Sequence, residues 1–185
     1  MNDQTPRVLM SDASGPLTPI LCLAGAADGE GDRLVALAAG CLDFPALLIE
    51  VDPGAGSAGM EKALDEAVAA SDRKVSAGCC VYGVGAGADA ALRFVGEHAG
   101  RVSACAVYDA TAWSVPGEAG GVAWLVGCGE GDDPEKLWAA EAFQVALAES
   151  GCGVDFLDWT GGVAGGPPEH AVENALRFFG ERAAA

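Results

Sequence analysis

Short apolar runs and helically patterned stretches alternate along this 185-residue chain, predicting an α/β fold with a mostly parallel sheet, helices on both faces, three layers and no lid domain. Most of the apolar runs are rich in Val, Leu, Ile and Cys and nearly free of charge, as strands buried on both faces are. The stretches between them carry apolar residues at helical spacing. Glycine and proline stand at the junctions, where the chain must turn.

Pro19–Gly25 (PILCLAG) is the first buried strand, and Asp32–Leu42 follows as a helix, apolar at Leu34, Leu37, Ala38 and Cys41. Pro45–Val51 is a strand closed by the turn Asp52-Pro53-Gly54. Met60–Ala70 reads as a helix with Leu64, Ala67 and Val68 on one face, Val75–Tyr82 as a strand, and Ala88–His98 as a helix with Leu92 and Val95 inward. Val102–Tyr108 and Val122–Val126 are strands separated by a loop containing Trp113 and Pro116. Pro134 suits the first turn of a helix over Glu135–Ser150, which Gly151 ends and which turns Leu137, Ala140, Phe143 and Leu147 to the sheet. Val154–Trp159 is the last strand, and Glu169–Arg182 the last helix, with Val172, Leu176 and Phe179 inward. Gly161–Gly166 is a loop; no repeat or linker divides the chain, so residues 1–185 read as a single domain.

Ten basic residues face twenty-seven acidic ones, a formal net charge of −17. Such a surface repels phosphate backbones and anionic lipid, which argues against nucleic acid and membrane as partners and for solubility. No apolar run approaches the roughly 20 residues of a membrane span, and Met1–Ser14 lacks the pattern of a signal peptide. A cytoplasmic protein is expected, with a homodimer left open. Cys22, Cys79, Cys80 and Cys105 fall in apolar runs, where thiols act as small hydrophobes. With no CxxC pair and only His98 and His170 as extra ligands, neither a metal nor a cofactor is expected.

Ligands of parallel sheets sit at the carboxyl ends of the strands, so the loops after Gly25, Gly83, Asp109, Cys128 and Trp159 should form one rim. Cys79–Gly87 (CCVYGVGAG) runs from a strand straight into a helix. A nucleophile elbow, G-x-S-x-G, occupies such a junction and presents its central side chain on a strained turn. Gly83 and Gly87 supply the outer glycines, but the centre is Gly85, which has nothing to attack with. Further on come Gly129-Glu130-Gly131-Asp132, of the form G-x-x-D, then Trp159-Thr160-Gly161-Gly162 and Leu176-Arg177-Phe178-Phe179.

In this order these motifs resemble the dienelactone hydrolase group of the α/β-hydrolase superfamily. The resemblance implies a hydrolase-like frame. It places the family's nucleophile on Gly85, its histidine on Val163 or Ala164, and its acid on Asp132, with Asp133 the neighbouring alternative. A triad works because the base takes the nucleophile's proton while the acid orients the base, so Asp132 is at most a vestigial acid. Both aspartates also suit a solvated turn capping the Pro134 helix. His170 is the nearest stand-in base but opens the last helix, facing solvent. His98 lies at the far end of its helix, and Cys79 and Cys80 precede the turn. Cys128 ends a strand on the rim, where it reads as a buried thiol or as a residue that supports catalysis.

A small-molecule pocket is therefore expected among Gly25, Ala26, Gly83, Val84, Gly85, Ala86, Asp109, Cys128, Val163 and Ala164. The backbone of Ala86 and of Gly25-Ala26 would supply oxyanion donors. Trp113, Trp124 and Trp159 are candidate walls, although Trp124 suits core packing better. Three function classes stay open: a pseudoenzyme that binds a small organic molecule; an atypical hydrolase, lyase, isomerase or cyclase acting on a small ester, lactone or polyketide-like substrate; and a dinucleotide-binding protein. The last draws on Gly83, Gly85 and Ala88 as G-x-G-x-x-A with Asp109 beyond it, although that fingerprint belongs on a first strand. With no side chain at position 85 and no histidine at the base position, activated acyl esters should turn over no faster than in buffer. A fluorophosphonate probe should leave the protein unlabelled.

Overall fold

The computed structural model describes residues 7–23, 44–117, 119–130, 134–160 and 166–183. Its strands are β1 (Arg7–Met10), β2 (Thr18–Leu23), β3 (Ala46–Glu50), β4 (Cys79–Val84), β5 (Val102–Tyr108), β6 (Ala123–Glu130) and β7 (Val154–Thr160). The helices among these residues are α1 (Gly56–Ala70), α2 (Ala86–His98), α3 (Pro134–Glu149) and α4 (Glu169–Ala183). The strands form one sheet in the order β1-β3-β2-β4-β5-β6-β7. Only β1 runs antiparallel, against β3.

The side-chain alternation of the strands builds two cores. Leu21, Leu23, Leu47, Ile49, Val81 and Val107 point to the face covered by α1, α2 and α3, and pack on Met60, Leu64, Phe94 and Phe143. Ile20, Leu48, Tyr82, Tyr108 and Trp159 point to the other face and meet Val172, Leu176 and Phe179 of α4. The mostly parallel, three-layer architecture expected from the sequence is therefore present. No helix among the described residues is long and apolar enough to cross a membrane.

Several boundaries differ from expectation for identifiable reasons. β1 is not anticipated: it has four residues, and Arg7, Val8 and Met10 are exposed on the sheet edge. β4 begins at Cys79 instead of Val75, because the chain bends through Ala77 and Gly78 after an isolated bridge from Val75 to Leu17. β6 runs on to Glu130, four residues beyond Val126, held by pairing with β7. On α3, Ala140, Phe143 and Leu147 are buried as expected, and Leu137 is half-buried. Trp138 and Val145, on its outer side, are 63% and 54% exposed. The helix expected at Asp32–Leu42 lies outside the described residues.

The connection between β1 and β2 is held by a side chain distant in sequence. The Arg73 guanidinium donates to the carbonyls of Ser11 (2.9 Å), Ala13 and Gly15 (2.8 Å). Ser11 Oγ in turn donates to the Phe44 carbonyl and accepts from the Ala46 amide. A planar fork can serve several carbonyls at once where an ammonium offers a single charged point. Arg73→Ala should lower unfolding free energy by about 1–3 kcal/mol, and Arg73→Lys should recover only part of it, as read from urea midpoints.

Candidate functional site

From β2 the chain steps to β3 on one side, and from β4 onward it proceeds to the other side. The direction of winding thus reverses between β2 and β4, and the crevice outside such a switch point is where open α/β sheets bind ligands. Leu23 at the end of β2 pairs with Gly83 of β4, so the switch point lies at the start of the elbow.

The elbow's geometry follows from its glycines. A Cβ on Gly83 would lie 2.4 Å from the Gly87 carbonyl oxygen and 2.8 Å from the Ala88 Cα, so β4 and α2 meet backbone to backbone there. Gly85 has φ 54° and ψ −120°, a conformation that side chains strongly disfavour. Its amide donates to the Tyr108 carbonyl at 2.8 Å, while its carbonyl accepts from the Ala88 and Asp89 amides at 3.0 and 3.2 Å. Gly85 is thus the N-cap of α2 and is also stitched to β5. No heavy atom of the described residues comes within 4 Å of a Cβ built on it, so none of them blocks the direction a nucleophile would take. The first amides of α2, beginning at exposed Ala86, have no acceptor within the helix and carry the positive end of its dipole.

Asp109 leaves β5 with φ 52°, the only non-glycine residue at positive φ among those described. Its amide donates to the Gly127 carbonyl at 3.1 Å, and its carboxylate accepts from the Gly129 amide at 3.1 Å. The half-buried carboxylate is thereby turned toward β6. Val84, also half-buried, closes β4 beside the elbow.

Cys128 requires a correction. It does not end its strand on the rim: β6 continues through it, and its side chain, 1% exposed, points into the core under α2 and α3. Gly129, which opens the G-x-x-D motif, and Gly127 are strand residues with aromatic rings against them. A Cβ on Gly127 would lie 2.5 Å from the Tyr108 ring, and one on Gly129 2.7 Å from the Trp159 indole nitrogen. Those rings belong to a row, with Trp159 edge-on to Tyr108 at 5.3 Å and Tyr108 edge-on to Tyr82 at 5.7 Å. Tyr108 Oη also donates to the Ala171 carbonyl at 2.8 Å. Trp159 is consequently buried in the core, not a pocket wall, and Trp124 is buried as expected. Trp113 is half-buried against Phe143.

The remaining candidates are not brought to Gly85. His98 ends α2, at the opposite end from the elbow, with Nδ1 3.6 Å from Glu61 Oε1. His170 is exposed on the first turn of α4. Burial pushes the Cys79 thiol from its ordinary value of 9.0 to about 11 and the Cys80 thiol to about 12, and raises Cys22 and Cys105 strongly, so all four stay protonated and unreactive. Gly25, Ala26, Asp132, Asp133, Val163 and Ala164 lie outside the described residues. No cluster of three or more His, Cys, Asp or Glu suited to a metal occurs among the described residues. The sequence reading passed over Asp89 and Thr111, which meet one turn past the elbow; an acid in a first helical turn was the available signal.

No protein-family model matches this sequence, and no curated protein matches it in sequence. Its backbone, however, matches solved esterases over nearly its whole length. Est1E from Butyrivibrio proteoclasticus superposes with a TM-score of 0.71 at 11% identity, covering 96% of this chain and 93% of that one. The Bacillus cereus carboxylesterase gives 0.71 at 14% identity, covering 97% and 96%. Esterase PE8 gives 0.69 at 15% identity, covering 96% and 98%. At such identities the likeness is one of fold, and the fold is that of the α/β hydrolases.

Two glycines of one turn should respond differently to substitution. Gly83→Ala forces backbone apart and should cost about 1–3 kcal/mol, whereas Gly85→Ala meets no atoms and should cost only the strain of its φ, about 1–2 kcal/mol. Urea unfolding of the two variants checks the order. The buried thiols set a pH dependence. Above pH 9.0 the unfolded chain releases protons that the folded chain keeps, so stability is full below that pH and declines toward pH 11.

Proposed function

We propose that this chain is a binding protein on a hydrolase frame, holding a small organic molecule over Gly85 without hydrolysing it. The observation that carries the reading is the elbow itself. Gly85 keeps the elbow's positive-φ turn, with no described residue in the direction above it, while offering no nucleophile. A carbonyl or carboxyl oxygen of the ligand would use the first amides of α2, and the open direction over the glycine would admit carbon atoms where an enzyme places its nucleophile. Among the described residues, the six buried thiols and the two histidines supply no replacement pair at that point. Asp132 is then a vestigial acid with nothing to orient.

A second reading, an atypical hydrolase-fold enzyme of lyase, isomerase or cyclase type, rests on Asp109. A carboxylate held on a left-handed backbone at the rim is the kind of strain that accompanies proton transfer. The dinucleotide reading has less support. Its glycine strand should be the first of the sheet, in the order 3-2-1-4-5-6, and β4 holds neither place. Asp109 and Asp89 near the elbow would also repel phosphates.

Calorimetric titration with NAD, NADP and a panel of small esters, lactones and polyketide-like compounds separates these readings. Binding of a panel member, weakened by about 2 kcal/mol in Gly85→Leu, supports the proposal, provided thermal unfolding shows the variant folded. Micromolar binding of a dinucleotide, lost in the same folded variant, would overturn it. Turnover of a bound compound that Asp109→Asn abolishes would favour the second reading.

A further inference from the structure

We propose that Asp89 is a positioning residue that cinches the exit of β5 onto the elbow and so fixes one wall of the space above Gly85. The inference rests on the reading of that space as the binding site. The chain leaving β5 is bonded to the elbow turn at two points. At the first, the Tyr108 carbonyl accepts from the Gly85 amide at 2.8 Å. At the second, one carboxylate collects three donors: Asp89 Oδ1 accepts from the amides of Thr111 (2.9 Å) and Ala112 (3.0 Å), and Oδ2 accepts from Thr111 Oγ1. Asp89 itself belongs to the elbow, since its amide donates to the Gly85 carbonyl.

Between the two points the chain makes a forced bend. Asp109 turns it at φ 52°, and Ala110 is buried in the core under α2. Beyond them Trp113 lies with its ring 5.0 Å from Phe143 of α3, and Pro116 is buried. Thr111 and Ala112 are exposed, and their hydrogen bonds to the Asp89 carboxylate tie this stretch to the elbow. A carboxylate suits the task because it offers two acceptor oxygens to donors converging from a single turn. The wall is thereby preformed, and a ligand need not order it on binding.

Hydrogen exchange over residues 109–117 tests the latch. Asp89→Ala should speed exchange of the Thr111 and Ala112 amides by about tenfold or more, leaving the sheet unchanged. Asp89→Asn, which keeps one acceptor oxygen for both amides, should restore most of the protection. Thr111→Val, which loses only the hydroxyl, should fall between. In a Gly85→Cys background, iodoacetamide should alkylate the new thiol several-fold faster when Asp89→Ala is added, and Asp89→Asn should reverse the gain. Should Gly85→Cys fail to fold, acrylamide quenching of Trp113 in a Trp138→Phe background replaces it; should Asp89→Ala fail to fold, Asp89→Asn and Thr111→Val decide. Unchanged exchange at Thr111 and Ala112, or alkylation and quenching indifferent to residue 89, overturns the proposal. Neither readout uses a ligand, so the latch and the binding reading fail separately.

Discussion

A methyl group on residue 83 would strike the Gly87 carbonyl and the Ala88 backbone, so β4 and α2 touch with nothing between them. From that approach comes the sharpness of the turn, because the chain has only Val84 and Gly85 in which to leave the sheet and enter the helix. The left-handed φ at Gly85 follows, as does its bond to Tyr108 and the projection of the first α2 amides over the rim. The Asp89 carboxylate is placed one turn further on by the same entry angle. The elbow is thus set by a contact between main chains, and it does not depend on any particular side chain at position 85.

That independence separates frame from mechanism. In a hydrolase of this fold, the turn's strain serves a nucleophile. Here the turn carries a residue for which positive φ is unstrained, so the conformation is retained at almost no conformational cost. The positive end of the α2 dipole stays at the turn, since it comes from peptide groups and not from side chains.

Much of this was readable from residues alone, and the misses share a cause. The buried strands and the inward faces of α1, α2 and α4 follow from periodicity, because each has one apolar side. The elbow was readable because only paired outer glycines permit such a turn. Gly129 misled, since a glycine that admits a neighbouring ring and a glycine that bends the chain look identical in sequence. Cys128 was misplaced beside it. β1 escaped notice because four half-exposed residues carry no period. The inward face of α3 was readable at Ala140, Phe143 and Leu147, but the exposed Trp138 and Val145 on its outer side carry no polar signature. The hold of Asp89 on Thr111 joins residues 22 positions apart and has no local pattern.

The outer side of α3 has a bearing on how this protein behaves in crowded solution. Trp138 and Val145 stand exposed on a molecule of net charge −17. At low ionic strength the mutual repulsion of like-charged molecules keeps these patches apart, while the same repulsion within each molecule strains the folded state. Added salt shortens the reach of both effects, from about 30 Å at 0.01 M to about 3 Å at 1 M. The two outcomes oppose each other. Concentrated salt relieves each folded molecule of its internal repulsion, yet removes the colloidal barrier that kept one indole from its neighbour's.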